Sequence, residues 1–171
     1  MLHGSEMQLS LEALRRETAD ILIVPSTLSG EQFVEHHRWS DHYTLVAASS
    51  RSGRPRGLGE LAQSTRYVAW RHAGLDRLHS QLAAAQLRLS HRGELSCVDT
   101  LLDLVGKGHC MSILPSSLLP GHQRELEQVP LPVGVQRQIS VIARPTSLIS
   151  SAASVVIQAL KKPALRAVQL G

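Results

Sequence analysis

The chain has 171 residues, 43% hydrophobic and 19% charged, a composition that excludes a disordered polyelectrolyte. Lys plus Arg is 18 against 14 for Asp plus Glu, a net charge of +4 with no run of four basic residues, so composition does not make the chain a nucleic-acid arm. Only Phe33, Trp39, Tyr43, Tyr67 and Trp70 are aromatic, too few for the stacking platforms of single-strand nucleic-acid binders, and the core is expected to be aliphatic.

The first predicted element is a helix. Ser5 followed three residues later by Gln8 has the form of a capping box, Met7, Leu11 and Leu14 recur at helical spacing, and the helix is expected to end near Glu17. Ile21 to Val24, closed by Pro25, is a continuous apolar run and predicts a fully buried strand. Thr27 to Asp41 is polar and predicts irregular chain, and Tyr43 to Ala48 predicts the next strand. Gly53, Pro55, Gly57 and Gly59 mark a loop, with a short helix over 58–62. Arg66 to Trp70 predicts a strand, and Leu75, Leu78 and Leu82 mark an amphipathic helix.

Glu94 to Ser96 predicts a short strand. Val98, Leu101, Leu102 and Val105 form an i, i+3, i+4, i+7 stripe that stops at Gly106-Lys-Gly108. His109 to Leu114 predicts a strand ended by Pro115, followed by a helical turn over 116–123 and irregular chain over 129–135. Gln138 to Ala143 predicts a strand. Ala152, Ala153, Val156, Ile157 and Leu160 predict the last helix, closed by Lys161, Lys162 and Pro163. Strands alternating with helices predict an α/β protein with a mainly parallel sheet, or two such sheets.

Enzymatic signatures are missing. There is no phosphate-binding Walker loop, no dinucleotide-type glycine spacing and no nucleophile elbow, so no enzyme is expected. The nine histidines lack repeating ligand spacing and read as surface residues rather than metal ligands; no metal and no cofactor are expected. Cys97 precedes a helix and reads as a small residue lining a cleft, while Cys110 lies in an apolar strand and reads as core. Two cysteines make no disulfide framework, and neither a signal peptide nor a membrane span is legible, so the expected location is the cytoplasm.

Three segments carry a resemblance: Leu14 through Asp20 to Val24; Cys97 through Leu101, Val105 and Gly108 to Pro115; and Gln138 to Arg144 with the Ser/Ala-rich helix after it. In this order they resemble the effector-binding region of LysR-type transcriptional regulators, the second segment being the most specific. His109 departs from the pattern, which usually has a small residue there. The family's first strand and first helix of this region, its winged helix-turn-helix and its linker helix have no counterpart, so the chain reads as N-terminally truncated.

The resemblance implies a type 2 periplasmic-binding-protein-like α/β fold. Two lobes, 1–41 with 142–171 and 42–141, would be joined by crossover strands near 41–45 and 138–143, with a ligand cleft between them and the first lobe incomplete. It implies a sensor of a small-molecule effector, a homodimer or higher oligomer, and DNA contact only through the absent helix-turn-helix. A solute-binding protein of the same fold is the alternative. Open α/β sheets bind ligands beyond the carboxyl ends of their strands. That rule selects Ser26 and Thr27 after Val24, Trp70, Arg71 and His72, and Ser96 and Cys97 at a helix start; Ser5 matches the family's polar loop. A helix N-terminus and an arginine suit a small anion.

Overall fold

The computed structural model describes residues 11–26, 33–50, 53–119, 121, 125–145 and 148–161. Its chain divides into two compact units, Met1–Ser40 with Gln138–Gly171, and Asp41–Arg137.

In the first unit, residues 11–15 are helical (α1), and the chain leaves that helix through Glu17 at φ 59°. Strand β1, Ile21–Pro25, pairs antiparallel with β7, Gln136–Ala143, in the register Ile21 opposite Ala143 to Pro25 opposite Ile139. Helix α5, Ser151–Lys161, packs Ile157 against Val141 and Ala143, with Ile21, Trp39, Ile149 and Leu160 around them. Two expectations change here. Strand β1 is not fully buried, since Ile23 is 55% exposed. On α5 the buried residues are Ala153 and Ile157, whereas Ala152 and Val156 face outward. Lys161 does close the helix. The large apolar side chains exposed among the described residues, Ile23, Val34, Leu148, Val155 and Val156, all belong to this unit.

Strand β2 is much longer than its apolar half. It runs Val34–Ala48, so its first eight residues, Val34–Asp41, extend through the stretch expected to be irregular. That half is built on polar pairing instead of apolar alternation: Arg38 bonds Glu35, and Gln138 on β7 donates to Ser40 at 2.7 Å. Strands β2 and β7 are the two along which the chain passes from one unit to the other.

The second unit is layered. Strand β2 pairs antiparallel with β5, Ser112–Pro115, and with β6, Leu126–Val129. Strand β3, Tyr67–Trp70, pairs parallel with β4, His91–Leu95, and reaches β5 through a parallel bridge from Tyr67 to Met111. The expectation of a mainly parallel sheet is therefore corrected: three of the four strand pairs with a defined register are antiparallel, because β2 and β7 carry the chain out and back. Successive side chains on a strand alternate faces. Leu45, Ala47 and Ile113 thus enter one core with Leu61 of α2 (Leu58–Ser64) and Leu75, Leu78 and Leu82 of α3 (Leu75–Ala84). Val46 and Leu114 enter another with Leu101, Leu102 and Val105 of α4, Val98–Gly106. Cys110 is buried in that second core. Ser116–Leu118 form a single 3-10 turn capped by Leu119; of the turn expected over 116–123, residues 120, 122 and 123 lie outside the described residues.

Candidate functional site

Strands β3 and β4 are parallel neighbours, with Trp70 opposite Leu95, so their carboxyl ends emerge at one edge of the sheet. The two loops beyond them are bonded together. The Arg71 N–H donates to the Leu95 carbonyl at 2.8 Å, and the Trp70 indole N–H donates to the Ser96 carbonyl at 3.2 Å. Trp70, Arg71, His72, Ser96 and Cys97 are thereby brought together in the second unit. Ser26 lies in the first unit, just after β1, and its hydroxyl is 2.6 Å from that of Ser140. Ser140 in turn donates to Glu35 at 2.5 Å, and the Arg38 and Ser140 hydrogen bonds hold the Glu35 carboxyl below its usual range. Ser5 and Thr27 fall outside the described residues.

The side chains differ in how they are held. Arg71 is exposed, and its guanidinium pairs with no carboxylate among the described residues. The His72 ring stacks on Trp70, with centroids 4.3 Å apart and planes within 9°. Its Nδ1 is 2.9 Å from the Trp70 carbonyl, which can only accept, so Nδ1 carries the proton. Nε2 then receives the Tyr43 hydroxyl at 2.7 Å. Burial pushes the Tyr43 phenol up, against the pull of the Arg137 charge, which keeps it a donor.

Cys97 stands exposed at the N-cap of α4. Its sulfur makes no short capping bond, yet the Thr100 hydroxyl and N–H pull its thiol below the usual value. Burial pushes the Cys110 thiol up.

Beside these loops lies a polar knot that sequence reasoning missed. The Asp41 carboxylate is buried and accepts five hydrogen bonds. Oδ1 takes the Ser117 N–H at 3.1 Å and the Ser116 hydroxyl at 3.2 Å; Oδ2 takes the Ser117 hydroxyl at 2.6 Å and Arg137 Nε and Nη2 at 3.0 and 2.9 Å. Burial raises the Asp41 carboxyl, but the Ser117 and Arg137 bonds outweigh it and the net shift is downward. The Arg137 guanidinium also sits 5.5 Å from the Trp70 ring centroid. A signal for Asp41 was present: it falls in the period-2 series Trp39, Asp41, Tyr43, Leu45, Ala47, and a carboxylate on the buried face of a strand demands a partner.

An open groove of about 570 Å³ runs along α4, lined by Asp99, Leu102, Asp103 and Lys107 and by Ser117–Leu119 and Glu125. It contains none of the predicted residues and touches the knot only through Ser117. No helix among the described residues is long and apolar enough to cross a membrane.

The family model described as the LysR substrate binding domain matches residues 2–164. No curated protein matches the chain. Among solved structures, a putative LysR family transcriptional regulator from Pseudomonas aeruginosa superimposes with a TM-score of 0.70 at 12% identity, covering 91% of this chain and 58% of that one. CbnR, a LysR family transcriptional regulator, gives 0.67 at 16%, covering 92% and 57%. The reduced form of OxyR from N. meningitidis gives 0.66 at 18%, covering 93% and 78%. The chain thus spans 55% to 58% of the first three regulator chains it matches.

Proposed function

From the premise that this chain belongs to the LysR substrate-binding domain family, whose fold is the type 2 periplasmic-binding-protein-like α/β fold, we propose that it senses a small anionic metabolite. In this reading the two compact units are the regulatory subdomains of a transcriptional regulator acting in the cytoplasm. The domain binds and responds, without catalysing a reaction. It works as a homodimer or higher oligomer, and contact with DNA belongs to a helix-turn-helix outside these 171 residues.

The observation that carries the reading is the bonded pair of strand ends, Trp70–Arg71 against Leu95–Ser96. It sets an unpaired guanidinium, an indole and the start of α4 at one edge of one sheet. Arg71 is the anion's charged partner. The N–H groups opening α4 beyond Cys97 add positive potential. Trp70 and His72 give apolar contact and a stacked wall. Ser96 and Cys97 contact the ligand from the second loop. A ligand changes the output only through its different affinity for two states of the domain.

A thermal-shift series with small carboxylates tests this. An effector raises the melting temperature progressively with concentration, about 2.7 kcal/mol of stabilisation at one hundred times its Kd. Arg71→Ala abolishes that rise. A shift of unchanged size in Arg71→Ala removes the site; no shift with any carboxylate removes the anion.

A further inference from the structure

Away from the strand ends, three rings meet. His79 of α3 and His91 of β4 both lie beside Tyr67 of β3, with ring centroids 5.7 Å from it. The two imidazoles are 5.3 Å apart, edge to face at 67°. Tyr67 is 1% exposed, and its hydroxyl makes its one hydrogen bond among the described residues to His79 Nε2, at 3.1 Å. We propose that these three side chains form an acid-sensitive latch, which holds α3 against β3 and β4 at neutral pH and loosens it when the two imidazoles take up protons.

The hydrogen bond has a direction. Burial keeps the Tyr67 phenol protonated, and the Glu94 charge acts the same way. Its hydrogen needs an acceptor, which the Nε2 lone pair of a neutral His79 supplies. A charged His79 carries hydrogens on both ring nitrogens. Nε2 then donates to the phenol oxygen, and the phenol hydrogen is left in the core without an acceptor, which is unfavourable. Tyr67 belongs to the same apolar cluster as Leu75, Leu78 and Leu82, the residues that bury α3, so the strain falls on the packing of that helix.

His91 adds a second penalty. Its Nε2 is 3.1 Å from the Gly93 carbonyl, which can only accept, so that nitrogen already carries a hydrogen and an incoming proton goes to Nδ1. Two charged imidazoles this close repel. The groups facing His79 are Tyr67 on β3, His91 and Glu94 on β4, and Asp76 on α3 itself, while Tyr43 on β2 acts on Tyr67. Burial and His91 outweigh the pull of Glu94 and Asp76 and hold the His79 imidazole below its usual value. The unfolded chain takes up this proton near the ordinary pKa of about 6.5, and the folded chain only at lower pH. The latch is complete above about pH 6.5, and its contribution is lost as pH falls through the folded value. The first turn of α3 is bonded to the neighbouring strand end, the Leu75 N–H donating to the His72 carbonyl at 3.2 Å, so loosening reaches the ring stacked on Trp70. The latch stands whether or not that edge holds an anion.

The test is histidine NMR titration and amide hydrogen exchange of the full chain between about pH 7.5 and 5.5, above the range in which ordinary carboxylates titrate. His79 titrates below an exposed histidine. Protection factors of the α3 amides fall by about tenfold across the range, while those of α4 stay within about twofold. Tyr67→Phe keeps the ring and removes the hydroxyl, and His91→Gln removes the neighbouring charge. Each raises the His79 titration point and reduces the acid loss in α3. The double substitution His36→Gln with His37→Gln leaves both readouts unchanged. His91 is exposed, so its variant folds and decides the matter even where Tyr67→Phe, in the core, does not. A His79 titration point unmoved in His91→Gln, an equal fall of protection in α3 and α4, or α3 protection indifferent to pH overturns the proposal.

Discussion

Asp41 and Arg137 are the first and last residues of the second unit, and the Arg137 guanidinium donates twice to Asp41 Oδ2, at 3.0 and 2.9 Å. One belongs to β2 and the other to β7, the two strands on which the chain passes between units. The next residues along, Ser40 and Gln138, are also bonded to each other. The boundary of the unit is thus closed by an ion pair whose carboxylate is almost fully buried and fully hydrogen-bonded. Desolvating a carboxylate is unfavourable unless every lone pair is occupied, and the Ser116 and Ser117 donors complete the set.

Removing one partner of this pair strands the other. Asp41→Ala leaves Arg137 and the Ser117 N–H without their acceptor and lowers stability by about 3 kcal/mol. Urea unfolding measures the loss. A change under 1 kcal/mol would show the knot to be structurally idle.

The same carboxylate sets an acid limit. Its folded pKa lies below the unfolded value, so its contribution is fully present above the unfolded pKa of about 3.9 and is lost as pH falls through the folded value. Stability therefore declines between about pH 5 and the folded pKa, and Asp41→Asn flattens that part of the curve. Equal acid slopes in the two proteins would contradict the assignment.

Gly74 is the N-cap of α3, and a Cβ there would lie 3.3 Å from His72 Nε2 and 3.4 Å from its Cδ2. Gly74→Ala makes the imidazole give by a few tenths of an ångström against Tyr43 and its stack on Trp70. The expected loss is roughly 1 kcal/mol, with a change in Trp70 fluorescence read in a Trp39→Phe background. An unaltered spectrum means that the ring has room to yield.

Core and surface leucine-type residues should separate sharply. Leu101→Ala, at a fully buried position of α4, costs about 3 kcal/mol through lost transfer and a residual cavity. Val155→Ser, at a position 69% exposed, stays within about 0.5 kcal/mol. Calorimetry on the pair checks both, and near-equal losses would argue against the burial pattern of α5.

The two thiols differ in reactivity. Iodoacetamide modifies Cys97 at neutral pH and spares buried Cys110 while the chain is folded. Thr100→Val slows the Cys97 reaction by removing the hydroxyl that stabilises its thiolate. Mass spectrometry of the labelled peptides gives both results, and equal labelling of the two cysteines would contradict them.

The elements built on apolar periodicity were legible. Leu75, Leu78 and Leu82 are buried on α3, and Leu101, Leu102 and Val105 on α4, because a stripe at helical spacing has only one way to leave water. Trp70 with Ser96 was reachable by the strand-end rule, since parallel neighbours must emit their loops at one edge. The half of β2 from Val34 to Ser40 was not legible, because its backbone is satisfied by β7 and its side chains by polar partners, and neither leaves an apolar signature. The outward turn of Val156 was hidden as well: a helix with apolar residues on more than one side does not say which side is covered.

By itself, then, the amino-acid sequence determined the α/β class, the buried stripes and the family resemblance, all of which depend on local spacing and on composition. Only the tertiary structure decided the antiparallel partners of β2, the burial of Asp41 against Arg137, and the meeting of His79 with His91. Each joins residues far apart in the chain, and the energy of such a contact depends on whether the fold removes water from both sides at once.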